Sequence, residues 1–582
     1  MSMNLGFLSR QVVNATATTL AHINEDRVFF AMQLARRLPK SASKAVGAIL
    51  SRIPKAASRA AGAWLLGQET AAKAIVAEHE AVHPTRLLGE IALNLGLVDS
   101  ASRIAEGVSG GQALRSRILW TVGNVDASIE ALPPGRRRTR LEAERATLAS
   151  GWWPHLDAFV TARASSLPPS STHPSSMHVL TNSLPHTRSG YAYRSHLILR
   201  TLQDSGHSVI AATRTSYPVT IGRLGSGAVE SVDGVDYLRH VPLLPPSTPT
   251  ERLLGQARWI ADEAVRRDTR ILHTTTHYVN GLITGAAARA VGLPWVYEVR
   301  GVLEETWAAA GASSKEQASR RTSQRFALMR AKEIEVAKRA DAVITLGETM
   351  RAHLIENGID EDSITVIPNS VSEAVVSADV SRSPAEVRAS LGLPTDGVWV
   401  GTAASIVGYE GLDDLVEAVR IARSKGIDLR LLVAGDGVAL PDLRERANVL
   451  GDAAVFTGRV SQSAAIDYQL ALDTIVVPRK DTQVCRLVTP IKPIEAMGLG
   501  RPVVVSDLPA LREMVPEAAG LRSGPENPRQ LADTLAELAL DSDARVRFGN
   551  NGREYVLASR RWKDIGQRYG EVYARIVGAE AK

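Results

Sequence analysis

The sequence predicts an α/β protein: two Rossmann-like, doubly wound parallel sheets behind an all-α front region. Three observations carry this. From Met177 onward, short apolar runs such as MHVLTNSL and HSVIAATR alternate with helix-patterned stretches, the signature of parallel strands joined by crossover helices. A second series of the same kind begins at VWVGTAAS, after a polar stretch at 376–390. Ahead of both, residues 1–165 read as helical throughout, and the Pro/Ser run at 166–176 separates them from the rest. The expected organisation is therefore a helical domain at 1–165, a linker at 166–176, a first sheet domain at 177–380 and a second at 381–555.

A chain of 582 residues is too long for one core, and an apolar fraction of 45% is that of an ordinary globular protein. The net charge is +6, and residues 1–65 alone carry nine Lys/Arg against two acids. This basic excess is not interleaved with aromatic residues, which argues against nucleic acid as a partner. A single cysteine, Cys485, allows no internal disulfide and fits a reducing compartment. No run reaches the roughly 18 apolar residues of a membrane span. Nor does the front end read as a secretory signal. The expected location is cytoplasmic, with peripheral contact at the inner membrane face as an option.

Within the front region, Arg27, Lys44, Arg52, Lys55 and Arg59 alternate with apolar residues. That pattern fits a basic amphipathic helix on an anionic bilayer, or a bundle helix with a solvated cationic face. AWLLGQETAAKAI, ALNLGLVDSASRI and LWTVGNVDASIEAL align on Gly67, Gly96 and Gly123. Each reads as helix, glycine turn, helix, which is either a tetratricopeptide-like array that binds a protein partner or a plain bundle. By this division, removing residues 1–170 should leave a folded core.

The first sheet domain opens with a strand at Met177 and a loop, SLPHTRSGYAYRSH, in which Gly190 permits close backbone approach to a ligand. RILHTTTH ends a later strand, and PWVYEVRG sets Glu298 and Arg300 at the end of another. Buried there, these two charges could pair with each other. ADAVIT, a helix and SITVIPNSV close the domain, with Asn369 in the last segment. The final stretch RRWKDIGQRYGEVYARI is amphipathic.

The stretch richest in chemistry is VPRKDTQVCRLVTPIKPIEAMGLGRPVVVSD, Val477 to Asp507. It reads as strand, cationic loop with Arg479, Lys480 and Arg486, helix, strand. Pro490 and Pro493 suit a helix opening, and Gly498 and Gly500 a helix end. The carboxyl end of a strand and a helix start favour phosphate; Lys492 and Arg479 add full charge, and Glu495 can accept hydrogen bonds from sugar hydroxyls. This is the pattern of a nucleotide-sugar site. No clustered acids or His/Cys spacing suggest a metal.

VTPIKPIEAMGLGRPVVVSD also resembles the donor-site segment of the retaining glycosyltransferases of family 4, nearest the exopolysaccharide-type variant with TP-x-KP-x-EAM. The resemblance spans about 177–577 and implies the GT-B fold, with two sheets facing across a cleft and the last helix, 556–577, returning to the first domain. Most members carry two glutamates eight positions apart; here the second is Glu495 and the first position is Leu487. Ser405 and Glu410 stand where most members carry the arginine and lysine that grip the diphosphate. Arg479 and Lys492 would then meet that charge, with Lys492, Glu495, Arg479 and a cleft histidine as the catalytic set. His277 is the choice by residue type along with His273, whereas alignment on Asn280–Gly281 points to Thr275. The resemblance implies donor contacts at Gly190, Ser405, Arg459, Thr489, Pro490 and Ile491. On the acceptor side it implies Tyr191, Arg194, Glu298, Arg300 and Asn369. It implies no cofactor, a UDP- or GDP-linked donor, and a polysaccharide or lipid-linked acceptor. An inactive transferase-fold scaffold, favoured by Leu487, and a GT-B phosphorylase are the alternatives.

Overall fold

A computed structural model of the chain describes residues 5–35, 39–156, 174–311 and 313–579. Most of the expected 166–176 linker lies outside these, and the first strand begins at Ser176.

Ten helices fill the described residues of the front region. Gly67, Gly96 and Gly123 each lie between two helices with φ of 74°, 76° and 94°, a left-handed conformation that glycine adopts without steric cost. The helices pack around Ala60, Val76, Leu88, Ile91, Ile104 and Leu114. The front region is fused to the first sheet domain rather than tethered to it. Leu148 and Trp153 are buried in the core of that domain. Trp153 Nε1 donates to Glu335 at 2.6 Å, and Lys332 Nζ to the Ala149 carbonyl at 2.6 Å. A Cβ on Gly123 would meet the Ser323 side chain at 2.3 Å, so that turn is itself a contact surface. These contacts count against the expectation that 1–170 is a removable unit.

The first sheet has eight strands: β1 (Ser176–Leu180), β2 (Val209–Thr213), β3 (Val229–Val232), β4 (Val235–Leu238), β5 (Ile271–Thr275), β6 (Trp295–Val299), β7 (Ala342–Thr345) and β8 (Ile364–Val366). Their order is β3-β4-β2-β1-β5-β6-β7-β8, parallel throughout except for the β3–β4 hairpin. β1, β5 and β6 are buried along their whole length, including polar His178, His273 and Glu298. The second sheet comprises β9 (Val398–Ala403), β10 (Leu429–Ala434), β11 (Ala454–Gly458), β12 (Thr474–Val477), β13 (Val503–Ser506) and β14 (Gly520–Ser523). Its order is β11-β10-β9-β12-β13-β14, all parallel.

The chain crosses between the domains twice at one place, where Val371 N–H donates to the Arg560 carbonyl at 2.9 Å. The final helix Trp562–Ala579 then buries Ile565, Tyr569, Val572 and Tyr573 against the first domain. Helix Pro384–Ser390, which the sequence reading counted in the 376–390 connection, has a capping box and packs on the second domain: Arg388 bonds Asp473 and the Ala471 carbonyl, both at 2.9 Å.

Candidate functional site

In open parallel sheets the ligand crevice forms where the strand order reverses, beyond the carboxyl ends. In the second sheet that point lies between β9 and β12. The loops after these strands touch closely: Gly411 has φ 69°, and a Cβ there would sit 1.8 Å from the Pro478 carbonyl oxygen. Lys480 N–H donates to the Tyr409 carbonyl at 3.0 Å. This approach buries Glu410 beside the two cations of the neighbouring loop. Lys492 Nζ lies 2.5 Å from Glu410 Oε2, and Arg479 Nη2 lies 3.1 Å from Oε1. Arg479 Nη1 also donates to the Val488 carbonyl at 3.0 Å.

Burial alone would raise the Glu410 carboxyl, but Lys492 and Arg479 hold it down to about 2. Burial lowers the Lys492 ammonium from its usual value, opposed by Glu410. Two cations and one carboxylate leave the trio with one net positive charge.

Glu495 lies one turn along the helix Lys492–Gly498. Burial pushes its carboxyl up to about 7, with Lys492 pulling the other way. Among the described residues its carboxylate has no hydrogen-bond partner. Thr489 Oγ1, in the same loop, is buried and likewise unpaired. Leu487 is 6% exposed and packed into the apolar core, so no carboxylate stands at that position. The segment read as a cationic loop contains a further short helix, Gln483–Leu487, capped by Thr482. Its Arg486 is paired with Asp481 at 2.5 Å, and Lys480 with Asp413 at 2.6 Å. Pro490 is buried and Ile491 half-buried at the start of the second helix. Ser405 is exposed in the loop after β9. Arg459, 85% exposed, stands on the rim 3.7 Å from Asp436.

Across the cleft, Gly190 opens the helix Gly190–Asp204, capped by Ser189, and a Cβ on it would point into open space. Tyr191 is 58% exposed as a whole, yet its hydroxyl end reaches the Gly301 backbone. Burial of that end raises the phenol, against the pull of Arg300 on its own domain and Arg479 on the other. Tyr191 thus spans the two faces.

Three of the residues expected on the acceptor side are buried. Glu298 is fully buried: its Oε1 accepts from Arg194 Nη2 at 2.8 Å and from Tyr569 Oη at 3.2 Å, and its Oε2 from Arg300 Nη2 at 2.9 Å. Burial would raise this carboxyl, but Arg300 and Arg194 hold it well below the usual range. Arg194 and Arg300 are 6% and 3% exposed. The pairing of Glu298 with Arg300 noted from sequence is correct, and Arg194 and Tyr569 complete it. Asn369 links this network to the donor loop: Oδ1 accepts from Arg194 Nη1 at 2.8 Å, while Nδ2 donates to the Thr489 carbonyl at 2.9 Å. It bridges the two domains.

The two candidate histidines have the following bonded partners. His277 caps the helix Tyr278–Val291, its Nδ1 accepting from Val279 N–H at 3.3 Å. Burial, then Arg214 and Arg252, press it down to about 4, so it is neutral at pH 7. His273 is fully buried, stacked on His178 and bonded to Tyr573 at 2.7 Å. Thr275 is buried and donates locally to the Thr276 carbonyl. The pairing of Glu410 with Arg479 and Lys492, and the part played by Tyr569, are what sequence reasoning missed. An acid where a lysine was expected, opposite two surplus cations, is the signal of a charge exchange. Tyr569 and Tyr573, four apart on the last amphipathic helix, mark its inner face.

Residues 189–370 match the family described as glycosyl transferase 4-like domain, and residues 396–541 the family described as glycosyl transferases group 1. The alpha-D-kanosaminyltransferase of Streptomyces kanamyceticus is 23% identical over 248 residues, 42% of this chain and 63% of that protein. The GDP-mannose-dependent alpha-(1-6)-phosphatidylinositol monomannoside mannosyltransferase of Mycobacterium tuberculosis is 28% identical over 177 residues, 28% of this chain and 44% of that protein. The chain thus spans less than two thirds of the length of these relatives. In fold it is similar to sucrose-phosphate synthase from Thermosynechococcus elongatus, with TM-score 0.54 and 21% identity over 70% of this chain and 100% of that one. It is similar also to Anabaena Alr3699/HepE in complex with UDP and glucose, with TM-score 0.51 and 15% identity over 68% and 99%.

Proposed function

The chain belongs to the GT-B glycosyltransferases with a family 4-like first domain and a group 1 second domain, and on that premise we propose that it transfers a sugar, with retention, from a nucleotide-diphosphate sugar to a hydroxyl acceptor. One observation carries the proposal: the Arg479–Glu410–Lys492 trio, net positive and mostly dry, stands at the reversal point of the second sheet beside the unpaired Glu495 carboxyl. Cationic groups held in place at a water-poor site stabilise a departing diphosphate without reorganisation at the moment of reaction. Glu495 accepts hydrogen bonds from sugar hydroxyls. Thr489 Oγ1 and the Ile491 backbone supply further polar contacts to the donor.

In the reaction the bond between the sugar C1 and the diphosphate oxygen breaks, and the acceptor oxygen bonds C1 on the same face. The acceptor proton passes to the departing phosphate oxygen, so no protein nucleophile is needed. Tyr191 lines the acceptor path. The relatives point to both UDP- and GDP-linked donors, and the acceptor belongs to cell-surface polysaccharide or glycolipid synthesis.

The test is release of UDP or GDP from a panel of nucleotide sugars, with and without an acceptor extract. Acceptor-dependent release, lost in Lys492→Ala, is the expected result. Production of a sugar 1-phosphate from inorganic phosphate would replace the transferase with a phosphorylase. A protein that binds no nucleotide would leave only the scaffold.

A further inference from the structure

The helix Leu5–Glu25 is amphipathic in the inverted sense. Its polar Gln11 and Asn14 face inward and are fully buried. Gln11 Nε2 donates to the Ser226 carbonyl and its Oε1 accepts from Gly225 N–H, both at 2.7 Å; Asn14 Nδ2 donates to the Pro242 carbonyl at 3.0 Å. The opposite side carries Leu5, Val12, Val13 and Leu20, between 40% and 73% exposed. Spacings of seven, eight and fifteen residues return to one face at about 3.6 residues per turn. On the same outward side, the Ser9 and Thr19 hydroxyls turn back to the carbonyls of Leu5 and Ala15, both at 2.8 Å. They offer no free donor to water.

The first sheet domain also exposes leucines within two residues, in sequence, of the atoms that hold the helix. Leu224 (52% exposed) precedes Gly225, and Leu243 and Leu244 (57% and 65%) follow Pro242. Arg10 and Arg223, both exposed, lie beside these residues. From Gln11 to Asn24 the helix holds no lysine, arginine, aspartate or glutamate. An apolar face this broad is rarely left to water.

We infer that the outward face of the helix Leu5–Glu25, together with the loops around Leu224 and Leu243–Leu244, docks on an anionic lipid surface. Charge complementarity selects this occupant. Arg10 on the helix and Arg223 in the loop that holds it are both exposed, and the first 65 residues carry nine basic groups against two acids. A bilayer rich in anionic headgroups meets these charges, whereas a second copy in a two-fold contact sets arginine against arginine. No described helix is long and apolar enough to cross a membrane, so the helix lies in the interface. The face sits on the first domain at loops that follow β2 and β4, which orients that domain, and any lipid-linked acceptor, toward the membrane.

The test uses the full chain with sedimented vesicles of phosphatidylcholine, alone or with a third phosphatidylglycerol. Binding to the anionic vesicles is expected, weakened by added salt. Val13→Ser with Leu20→Ser, and separately Leu243→Ser with Leu244→Ser, should each lower binding at least tenfold. Their melting should be unchanged, because these side chains face outward. Val438→Ser with Leu540→Ser, equally exposed apolar positions on the second domain, should bind as the unaltered chain does. Three results would overturn the inference: no binding to either vesicle, unaltered binding by both double variants, or a solution dimer that Val13→Ser with Leu20→Ser converts to monomer.

Discussion

Lys492→Ala with Glu410→Gln is the most informative pair of changes at the donor loop. Glu410 holds Lys492 at 2.5 Å and Arg479 at 3.1 Å, so the three residues sum to one positive charge. Lys492→Ala brings that sum to zero. A unit charge about 5 Å from a phosphate oxygen is worth about 3 kcal/mol at the effective dielectric of partly buried sites. Solvent screening in the cleft weakens this, which leaves about 1.4–2.7 kcal/mol, or about tenfold to a hundredfold, in affinity for a nucleoside diphosphate. Glu410→Gln on the Lys492→Ala background restores one net charge through Arg479 and should recover at least threefold. Titration calorimetry with UDP and GDP on all four proteins gives the double-mutant cycle, with the melting temperature as a separate check on folding. Lys492→Ala within threefold of the unaltered protein would remove its charge role. A double variant no better than the single would show that net charge does not govern the site.

Glu495, raised to about 7, gives a distinct pH signature. A carboxyl raised in the folded state contributes stability that is full below its unfolded value of about 4.5 and is lost as pH rises through 7, at most about 3 kcal/mol. Glu495→Gln should therefore be more stable than the unaltered protein at pH 8 in urea titrations; equal midpoints would refute this. Donor hydroxyls favour its ionised form, so binding at pH 7 should release a fraction of a proton, measured as a buffer-dependent binding enthalpy. Glu298→Ala strands Arg194 and Arg300 in the interior and should cost about 3–5 kcal/mol by the same urea titration. The Glu298 carboxyl, held low, contributes stability present above about pH 4.5 and lost only in stronger acid; a normal acid midpoint would contradict its pairing. Deleting 1–170 uncovers the core around Trp153 and Leu148 and should give insoluble protein, judged by sedimentation of the lysate; a soluble truncation would reinstate the separable domain.

Much of the fold was legible because it rests on local rules. Parallel strands buried on both faces are mostly apolar, so β12 and β13 could be read directly, and β1 and β6 despite the buried His178 and Glu298. Gly67, Gly96 and Gly123 were readable as helix ends because a left-handed residue after a helix is unstrained only for glycine. The pairings were not legible. Glu298 draws Arg194 from one helix and Tyr569 from the last, and Glu410 meets Arg479 and Lys492 only because strand order reverses between β9 and β12. Topology decides both. The front helix shows the same limit from the other side. The basic residues that stand out in the sequence lie at positions 27–59, of which Arg36 and Arg37 are outside the described residues. The apolar row that faces water lies at 5–20, where the docking of Gln11 and Asn14 fixes which side points inward.

A crystal structure with a nucleoside diphosphate bound would test the donor site most directly. The expected arrangement has diphosphate oxygens within hydrogen-bond distance of Lys492 Nζ and the Arg479 guanidinium, with Glu410 turned from at least one of them and Glu495 facing the vacant sugar position. A nucleotide lodged elsewhere, with the three-residue cluster undisturbed, would contradict a donor site at this loop.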